Sequence, residues 1–429
     1  MNKKISNIVF GLVCTLLVFA PLARGGVQGW AVSVIHIITL TALTLYLVQK
    51  CIYWDWDWIR TPLDWPILAL LIIALFSTLL SVHRWSSFQA FFLLVNYFII
   101  YYLFIYIVRS REKLRELLWV LLGTGTFLAI YGLIKFSGHN ILPWFHYGDL
   151  PDFGALTSTY GNPNNIAGFF EMIIPLVLGL LLGDRRGKRS QILYLPMLLF
   201  FGVALILTLS RGGWTCAMLG MLFLISVLLF FEDFPRRRIV IILTCSSIFA
   251  VLVLLSSYPA VKELLTVRQV VDHAGGLDGR WQISKAVGVM IKDKPFLGFG
   301  PGTFAYSFFK FQPAGIQGWY DMAHNDYVHF IAEIGIMLPV IMVWMIIALF
   351  RRGYNKLHSP SLFIRGVALG SMAGIVAILF HSFVDFNLHI PANALVFTLL
   401  CAIVAAPEPR VKKFRMGKLK AESGKVMTR

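Results

Sequence analysis

Residues 321–327, Asp-Met-Ala-His-Asn-Asp-Tyr, bring together several groups that can exchange protons or bind charged ligands. An almost wholly apolar run follows directly, so the cluster lies where a loop enters a membrane helix. Ionisable groups are costly to hold near lipid, and at such a place they indicate a functional site. His324 is the natural proton acceptor, because an unperturbed imidazole changes its charge near neutral pH. Asp321 and Asp326 could orient it, and Asn325 and Asp326 are candidate substrate contacts.

Two other interpretations of this cluster stay open. Asp321, His324 and Asp326 are oxygen and nitrogen donors of the kind that bind metal ions. However, no H-E-x-x-H or similar spacing accompanies them. The cluster also fits a plain polar cap at the start of a helix. We predict no metal site and no cofactor.

Two arginines are predicted to meet an anionic ligand. Arg211 stands in Ser-Arg-Gly-Gly, residues 210–213, at the outer end of a predicted span, where the flanking glycines allow close approach. Arg280 opens an amphipathic segment beside Gly279 and Trp281, and a guanidinium there can hold a phosphate through two parallel bonds. The alternatives are a snorkelling arginine at the interface and a solvated loop arginine, respectively.

Further polar residues are expected on the same face as candidate substrate contacts. His381 and Asp385 lie around the last outer loop, where they could line the same cavity or form a structural network. Tyr160 and Asn162 belong to a run rich in Thr, Asn and Pro, for which turn chemistry alone is the simpler explanation. Arg84 is one of the few basic residues in the predicted outward loops.

Membrane helices must position these residues. Of the 429 residues, 58% are hydrophobic and only 14% charged, whereas a soluble domain is about half apolar and a quarter charged. Several apolar runs reach the ~18 residues that span a bilayer core, and they lack the alternation of barrel strands. The sequence therefore predicts an all-α, polytopic integral membrane protein with a single membrane domain over residues 1–429. About twelve transmembrane helices are expected, over 6–22, 31–49, 66–81, 90–108, 116–136, 166–182, 192–208, 213–231, 239–257, 327–350, 363–382 and 390–406.

The basic residues predict the orientation. Lysines and arginines concentrate in one set of short loops and in the tail at 407–429, which places both termini in the cytoplasm. The same distribution accounts for the net charge of +17 and argues against nucleic acid as a partner. The large loop at 258–326 then faces outward, and its segment 280–293 is predicted to form a short amphipathic helix. The five cysteines lie in or beside apolar segments, which indicates neither disulfides nor a thiolate metal site.

Arginines, one well-placed histidine and a large apolar body suit a lipid-borne anionic substrate on the outer face. Arginine can stabilise a departing diphosphate electrostatically, and histidine can deprotonate an incoming hydroxyl. The sequence has no G-x-x-x-x-G-K nucleotide loop, so ATP is not implied. A transporter is a competing class, but the polar groups gather at one face and no two-fold repeat is evident.

Four features of the sequence resemble the bacterial O-antigen ligase and O-antigen polymerase superfamily. They are Tyr-Gly-Asn-Pro-Asn at 160–164, Ser-Arg-Gly-Gly at 210–213, the block 280–304 with its Pro and Gly residues, and Ala-His-Asn-Asp-Tyr at 323–327. The last of these is the most specific, and each motif alone would be weak.

The resemblance implies inverting, metal-independent glycan transfer at the periplasmic face of the bacterial inner membrane, from undecaprenyl diphosphate to an acceptor hydroxyl. In a ligase, which we favour, the acceptor is a sugar of lipid A–core. In a polymerase it is another lipid-linked repeat, and protein-glycosylating relatives are a less favoured alternative. Carried onto this sequence, Arg211 and Arg280 bind the diphosphate and His324 is the general base, with Asp326 and Asn325 as orienting residues.

Overall fold

The computed structural model describes residues 3–56, 58–142, 154–184, 188–234, 237–246, 277–313 and 319–408. Within these ranges the regular elements are helices, which confirms the predicted all-α class. Of the described helices, eight are long and apolar enough to cross a membrane, and three shorter apolar helices accompany them. The polytopic character is therefore confirmed, whereas the number of spans and the side that each loop faces stay predictions. The tail from residue 409 and most of the predicted span at 239–257 lie outside the described residues.

The helices follow the predicted apolar runs. In chain order they are α1 (Lys3–Leu22), α2 (Gly29–Tyr53), α3 (Asp64–Leu79), α4 (Arg84–Val108), α5 (Arg111–Phe136), α6 (Pro163–Gly183), α7 (Lys188–Leu207), α8 (Arg211–Phe230), α9 (Leu277–Asp293), α10 (Phe304–Phe308), α11 (Asp326–Ile334), α12 (Met337–Leu357), α13 (Leu362–His381) and α14 (Pro391–Ala405). A further helical segment covers residues 237–246.

The centre of the bundle is the antiparallel pair α6 and α13, and α6 is buried along its whole length. Gly366, Gly370 and Gly374 recur every fourth residue and so share one face of α13. A Cβ added at Gly366 would lie 2.2 Å from the carbonyl oxygen of Gly179, and one at Gly374 would lie 2.5 Å from that of Met172. Small residues at this spacing let membrane helices pack backbone to backbone. The contact brings the first turn of α6 beside the last turn of α13.

One predicted span is not a continuous helix in the structure. The helix expected over 327–350 ends at Ile334 and a separate helix begins at Met337. Gly335, between them, has a φ of +101°, a conformation that favours glycine because it has no Cβ. A side chain at Gly335 would also collide with the carbonyl oxygen of Phe296. The chain therefore turns at this glycine, and α11 is a short helix with its own surroundings.

The turn-rich run 295–302 fills this break. The N–H groups of Phe299 and Gly300 donate hydrogen bonds of 3.0 and 2.9 Å to the carbonyl oxygens of Ala332 and Glu333. These carbonyls belong to the last turn of α11, where helical partners are missing. The run is consequently fixed against the end of α11.

The amphipathic helix predicted over 280–293 is observed within α9. Ile283, Val287 and Met290 are completely buried, in one apolar cluster with side chains of α10 and α11. Trp281 lies outside this apolar face, since 62% of the residue is exposed. Together, α9, α10 and α11 form a small helical layer that holds the loop with His324.

Candidate functional site

His324 immediately precedes α11 and its cap, and it faces the turn that joins α13 to α14, residues 382–390. The Nδ1 atom of His324 lies 3.6 Å from Oδ1 of Asp385. The Asp385 side chain is 2% exposed and that of His324 is 25% exposed, so only the histidine is accessible from outside. His324 has a φ of +52°, a left-handed conformation that surrounding contacts must maintain in a non-glycine residue. A base and its orienting carboxylate face each other in this way in acid–base catalysis, where the hydrogen bond between them often tightens only when substrate is bound. Here the separation is longer than a hydrogen bond, and Nδ1 of His324 has no hydrogen-bond partner among the described residues.

Asp385 is held as an anion by its neighbours. Its Oδ2 accepts a hydrogen bond of 2.7 Å from Nδ2 of Asn164, and its Oδ1 accepts one of 2.9 Å from the N–H of Phe386. Burial alone would raise the pKa of this carboxyl, but His324 and the charge of Arg280 outweigh burial and hold the pKa well below its ordinary value. Asn164 ends the Tyr-Gly-Asn-Pro-Asn run and was not among the predicted site residues.

Both predicted arginine segments reach the same turn. Nη1 of Arg280 donates a hydrogen bond of 2.7 Å to the carbonyl oxygen of Val384. Arg211 is the exposed first residue of α8, and the following Gly212 packs against the imidazole of His381. A Cβ added at Gly212 would lie 2.9 Å from Nε2 of this histidine. The segments that carry all three predicted catalytic residues therefore meet at the turn between α13 and α14.

His381 forms a buried hydrogen-bonded pair beside this turn. Its Nδ1 lies 2.9 Å from Oε2 of Glu171 on α6, and the two side chains are 1% and 0% exposed. Glu171 was not predicted, although a sequence signal exists: it is the only charged residue in α6, and a carboxylate in a membrane helix needs a partner. Its Oε1 is buried and has no hydrogen-bond partner among the described residues. A second histidine–carboxylate pair thus supports the end of α13, which the turn with Asp385 follows.

Asp326 connects the turn to α11. Its Oδ2 accepts hydrogen bonds from the hydroxyl of Ser382, at 2.8 Å, and from the N–H of Leu388, at 3.0 Å, and its Oδ1 lies 2.6 Å from Nδ1 of His389. Asn325 is the N-cap of α11, because its side chain accepts two N–H groups of the first helical turn. In these contacts both predicted residues hold the loop that carries His324.

Three other predicted substrate contacts have different surroundings. Tyr160 is 3% exposed and its hydroxyl donates to Oδ1 of Asn393, at 3.3 Å. Asn162 caps α6 by accepting the N–H of Asn164. Arg84 is exposed at the first position of α4. These contacts hold the fold around the site, and direct contact with a substrate stays a prediction for all three residues.

Three side chains of the described chain come close enough to hold a metal ion: ligand atoms of His329, Glu333 and His389 all lie within 4.8 Å of one another. Hydrogen bonds engage Nδ1 of both histidines, whereas Nε2 of His389 is buried without a hydrogen-bond partner among the described residues. Nδ1 of His329 accepts the N–H of Ala323, so Nε2 must carry the proton that faces Glu333, 3.3 Å away. Nδ1 of His389 is engaged by Asp326. We therefore interpret the group as a hydrogen-bonded network that supports α11.

The arrangement suits a particular kind of chemistry. A partly exposed histidine, oriented through Nδ1, can accept a proton at its other nitrogen. Guanidinium groups around the same turn can bind and stabilise an anion. Such a site fits the attack of a hydroxyl group on a carbon that carries an anionic leaving group.

The comparison with known families agrees with the motifs. Residues 196–343 match the family model described as O-Antigen ligase, which confirms the resemblance to the O-antigen ligase superfamily. The match supports glycan transfer of the ligase or polymerase type, carried out in a membrane. It contains Arg211, Arg280 and His324, whereas Asn164 and Asp385 lie outside it. No curated protein matches this chain.

Proposed function

We propose that this protein, which is similar to the O-antigen ligases, transfers a glycan from undecaprenyl diphosphate to a sugar hydroxyl of lipid A–core at the periplasmic face of the inner membrane. The observation that carries the proposal is the pair of His324 and Asp385, with atoms 3.6 Å apart, beside a turn that Arg280 also contacts. The apolar helices around it suit the lipid parts of both substrates.

In this proposal His324 is the general base. Asp385 faces Nδ1, so Nε2 takes the proton of the acceptor hydroxyl. The freed oxygen attacks the anomeric carbon of the donor sugar from the face opposite the diphosphate. The bond between that carbon and the diphosphate oxygen breaks with inversion, and the diphosphate leaves with the electron pair. Asp385 stabilises the imidazolium, which later returns its proton to water.

Arg280 and Arg211 receive the departing diphosphate. A guanidinium carries five N–H donors. The hydrogen bond to Val384 positions the guanidinium of Arg280 at the turn. Arg211 stands exposed at the end of α8, next to the same turn. Two fixed cations offset the negative charge that develops as the bond breaks, which lowers the barrier without a cofactor.

Replacing His324 by Ala tests the base. Reconstituted protein supplied with lipid-linked donor and lipid A–core is expected to lose about 10²–10⁴-fold in transfer rate, the usual contribution of acid–base catalysis. His139→Ala is the matched control, because His139 is an exposed histidine just after α5 in the other predicted outward loop. Full transfer by the His324 variant would overturn the assignment of the general base.

The length of the transferred glycan distinguishes a ligase from a polymerase. Cells without an active ligase should carry lipid A–core with no glycan and should accumulate lipid-linked polymer. Cells without an active polymerase should instead carry a single repeat on lipid A–core. The second outcome would replace the proposed acceptor by another lipid-linked repeat.

A further inference from the structure

We infer that three aromatic side chains near the reaction centre, His83, Tyr306 and Trp319, form a binding subsite for a sugar ring of the glycan. The inference rests on the proposed function, because that function makes a glycan the substrate. It adds a place on the protein where part of the glycan binds away from the reacting bond.

The three rings form a right-angled corner. The imidazole of His83 stacks on the ring of Tyr306, with centroids 4.5 Å apart and planes 8° from parallel. Trp319 stands edge-on to Tyr306, at 6.5 Å and 85°. His83 covers one face of the Tyr306 ring, yet Tyr306 is 54% exposed and Trp319 66% exposed. More than half of each of these two residues is therefore accessible to a ligand.

Hydrogen bonds hold the corner in place. His83 is the N-cap of α4, where its ring accepts a backbone N–H of the first turn. The preceding Val82 donates its N–H to the carbonyl oxygen of Phe299, at 3.1 Å. The connection between α3 and α4 is thereby fixed to the run that leads into α10, the helix of Tyr306. Because the stacked pair exists before binding, little conformational freedom is lost when a ligand arrives.

The helix α10 links this corner to the reaction centre. Phe304, on the buried side of α10, stacks on His329 of α11 with a centroid distance of 4.4 Å. Tyr306 is two residues further on and so projects from the opposite side of the helix. Trp319 precedes His324 by five residues, a reach of at most ~18 Å. An oligosaccharide with one end at His324 can therefore extend to the corner.

A sugar ring fits the chemistry of the corner. The C–H groups on one face of a pyranose carry a small positive charge and pack on the negative face of an aromatic ring. The hydroxyl groups at its edge need polar partners, and the phenol of Tyr306 and the indole N–H of Trp319 supply them. Aromatic residues of a membrane-interface belt anchor at the headgroup level and need no such mutual stacking. Three rings from distant segments, packed face to face and edge to face, favour a binding surface.

Binding can be tested without the chemical step. Two soluble probes, the repeat-unit oligosaccharide of the donor and the delipidated core oligosaccharide of the acceptor, are titrated onto the full-length protein in nanodiscs. Tyr306→Ala and Trp319→Ala are each expected to weaken the binding of one probe about threefold to tenfold, as the loss of one aromatic contact would. Phe309→Ala is the matched control, since Phe309 is 72% exposed, lies three residues from Tyr306 and is not part of the corner.

The probe that loses affinity identifies the glycan that the corner binds, and either outcome supports the subsite. Unchanged binding of both probes, or no binding by the wild-type protein, would overturn it. An equal loss in Phe309→Ala would assign these aromatic residues to the membrane surface and would also overturn it. Failure of the proposed function gives a different result, namely transfer that persists in His324→Ala, which these binding measurements do not affect.

Discussion

Asp385→Asn removes a charge while keeping the shape of the side chain, and it tests how His324 works. In the proposed mechanism His324 gains a proton, and the carboxylate 3.6 Å from its Nδ1 stabilises the imidazolium. At an effective dielectric constant of about 20, two unit charges at this distance interact by roughly 4–5 kcal/mol. His324 is partly solvated and Arg280 offsets part of the carboxylate charge, so we expect about half of this energy. The transfer rate should fall roughly 30-fold to 70-fold.

The same substitution disturbs a hydrogen-bond network. Asp385 accepts hydrogen bonds from Asn164 and from the N–H of Phe386, whereas an asparagine has a single acceptor oxygen. One donor is then left unsatisfied, at a cost of about 1–3 kcal/mol in the free energy of unfolding. Exchanging the two side chains, Asn164→Asp with Asp385→Asn, restores a carboxylate–amide hydrogen bond but moves the charge away from His324.

This exchange separates orientation from stability. The assay is the initial rate of glycan transfer in reconstituted membranes, with the thermal unfolding temperature measured alongside. Asp385→Asn should lower both the transfer rate and the unfolding temperature. The exchange of both side chains should restore the unfolding temperature but not the rate. If Asp385→Asn alone transfers glycan at the wild-type rate, the role of the Asp385 charge is refuted. Recovery of the rate by the exchange would refute it as well, because the charge would then not need to face His324.

Three further predictions follow from contacts of the same turn. Arg280→Lys should lower kcat/KM at least about tenfold although the charge is kept, because an ammonium group lacks the planar fork that binds two phosphate oxygens; an unchanged value would remove Arg280 from the site. Gly212→Ala should lower the unfolding free energy by about 1–3 kcal/mol and slow transfer, because its Cβ would lie 2.9 Å from Nε2 of His381. Burial disfavours the charged imidazole of His389, but its hydrogen bond to Asp326 outweighs burial and raises the pKa above the ordinary 6.5. The stabilisation from this pair is complete below pH 6.5 and is lost as the pH rises through the raised pKa. As the pH rises from 6.5 through the raised pKa, the unfolding temperature should therefore fall more in the wild type than in His389→Gln.

Two of these variants have matched controls. Gly202→Ala matches Gly212→Ala, because a Cβ at Gly202 meets no atom within 4 Å. An equal loss in both would show that alanine acts on the helix in general. His139→Gln matches the pH experiment, since His139 is an exposed histidine outside the network. Glu333 and Asp321 also act on His389 through their charges, so a Glu333→Gln variant should shift the same transition to lower pH.

The sequence predicted the segments that meet at the candidate site better than the partners of those segments. His324, Arg211 and Arg280 stand in short runs whose residue types indicate their chemistry, and the structure brings those runs to one turn. The partners of the turn lie far away along the chain: 221 positions separate Asn164 from Asp385, and 210 separate Glu171 from His381. Helix packing decides which polar groups of two membrane helices face each other. A short stretch of sequence does not predict that packing.

The division between α11 and α12 shows a second limit of the sequence. Apolar residues continue across Gly335, so an average over the run predicts one long helix. The chain turns there because the glycine adopts a φ of +101° and because the run 295–302 binds the free carbonyl groups. The second cause involves residues more than thirty positions earlier, and it was not visible in the apolar pattern itself.

The backbone contact between α6 and α13 should make the site insensitive to bilayer thickness. Membranes of different thickness tilt their helices or change how side chains pack between them. Between Gly179 and Gly366 there is no layer of side chains to compress. Peripheral helices such as α2 and α12, which expose most of their surface, can take up the tilt. The distance between Glu171 and His381, and with it the turn that holds Asp385, would then stay constant while the surrounding lipid composition varies.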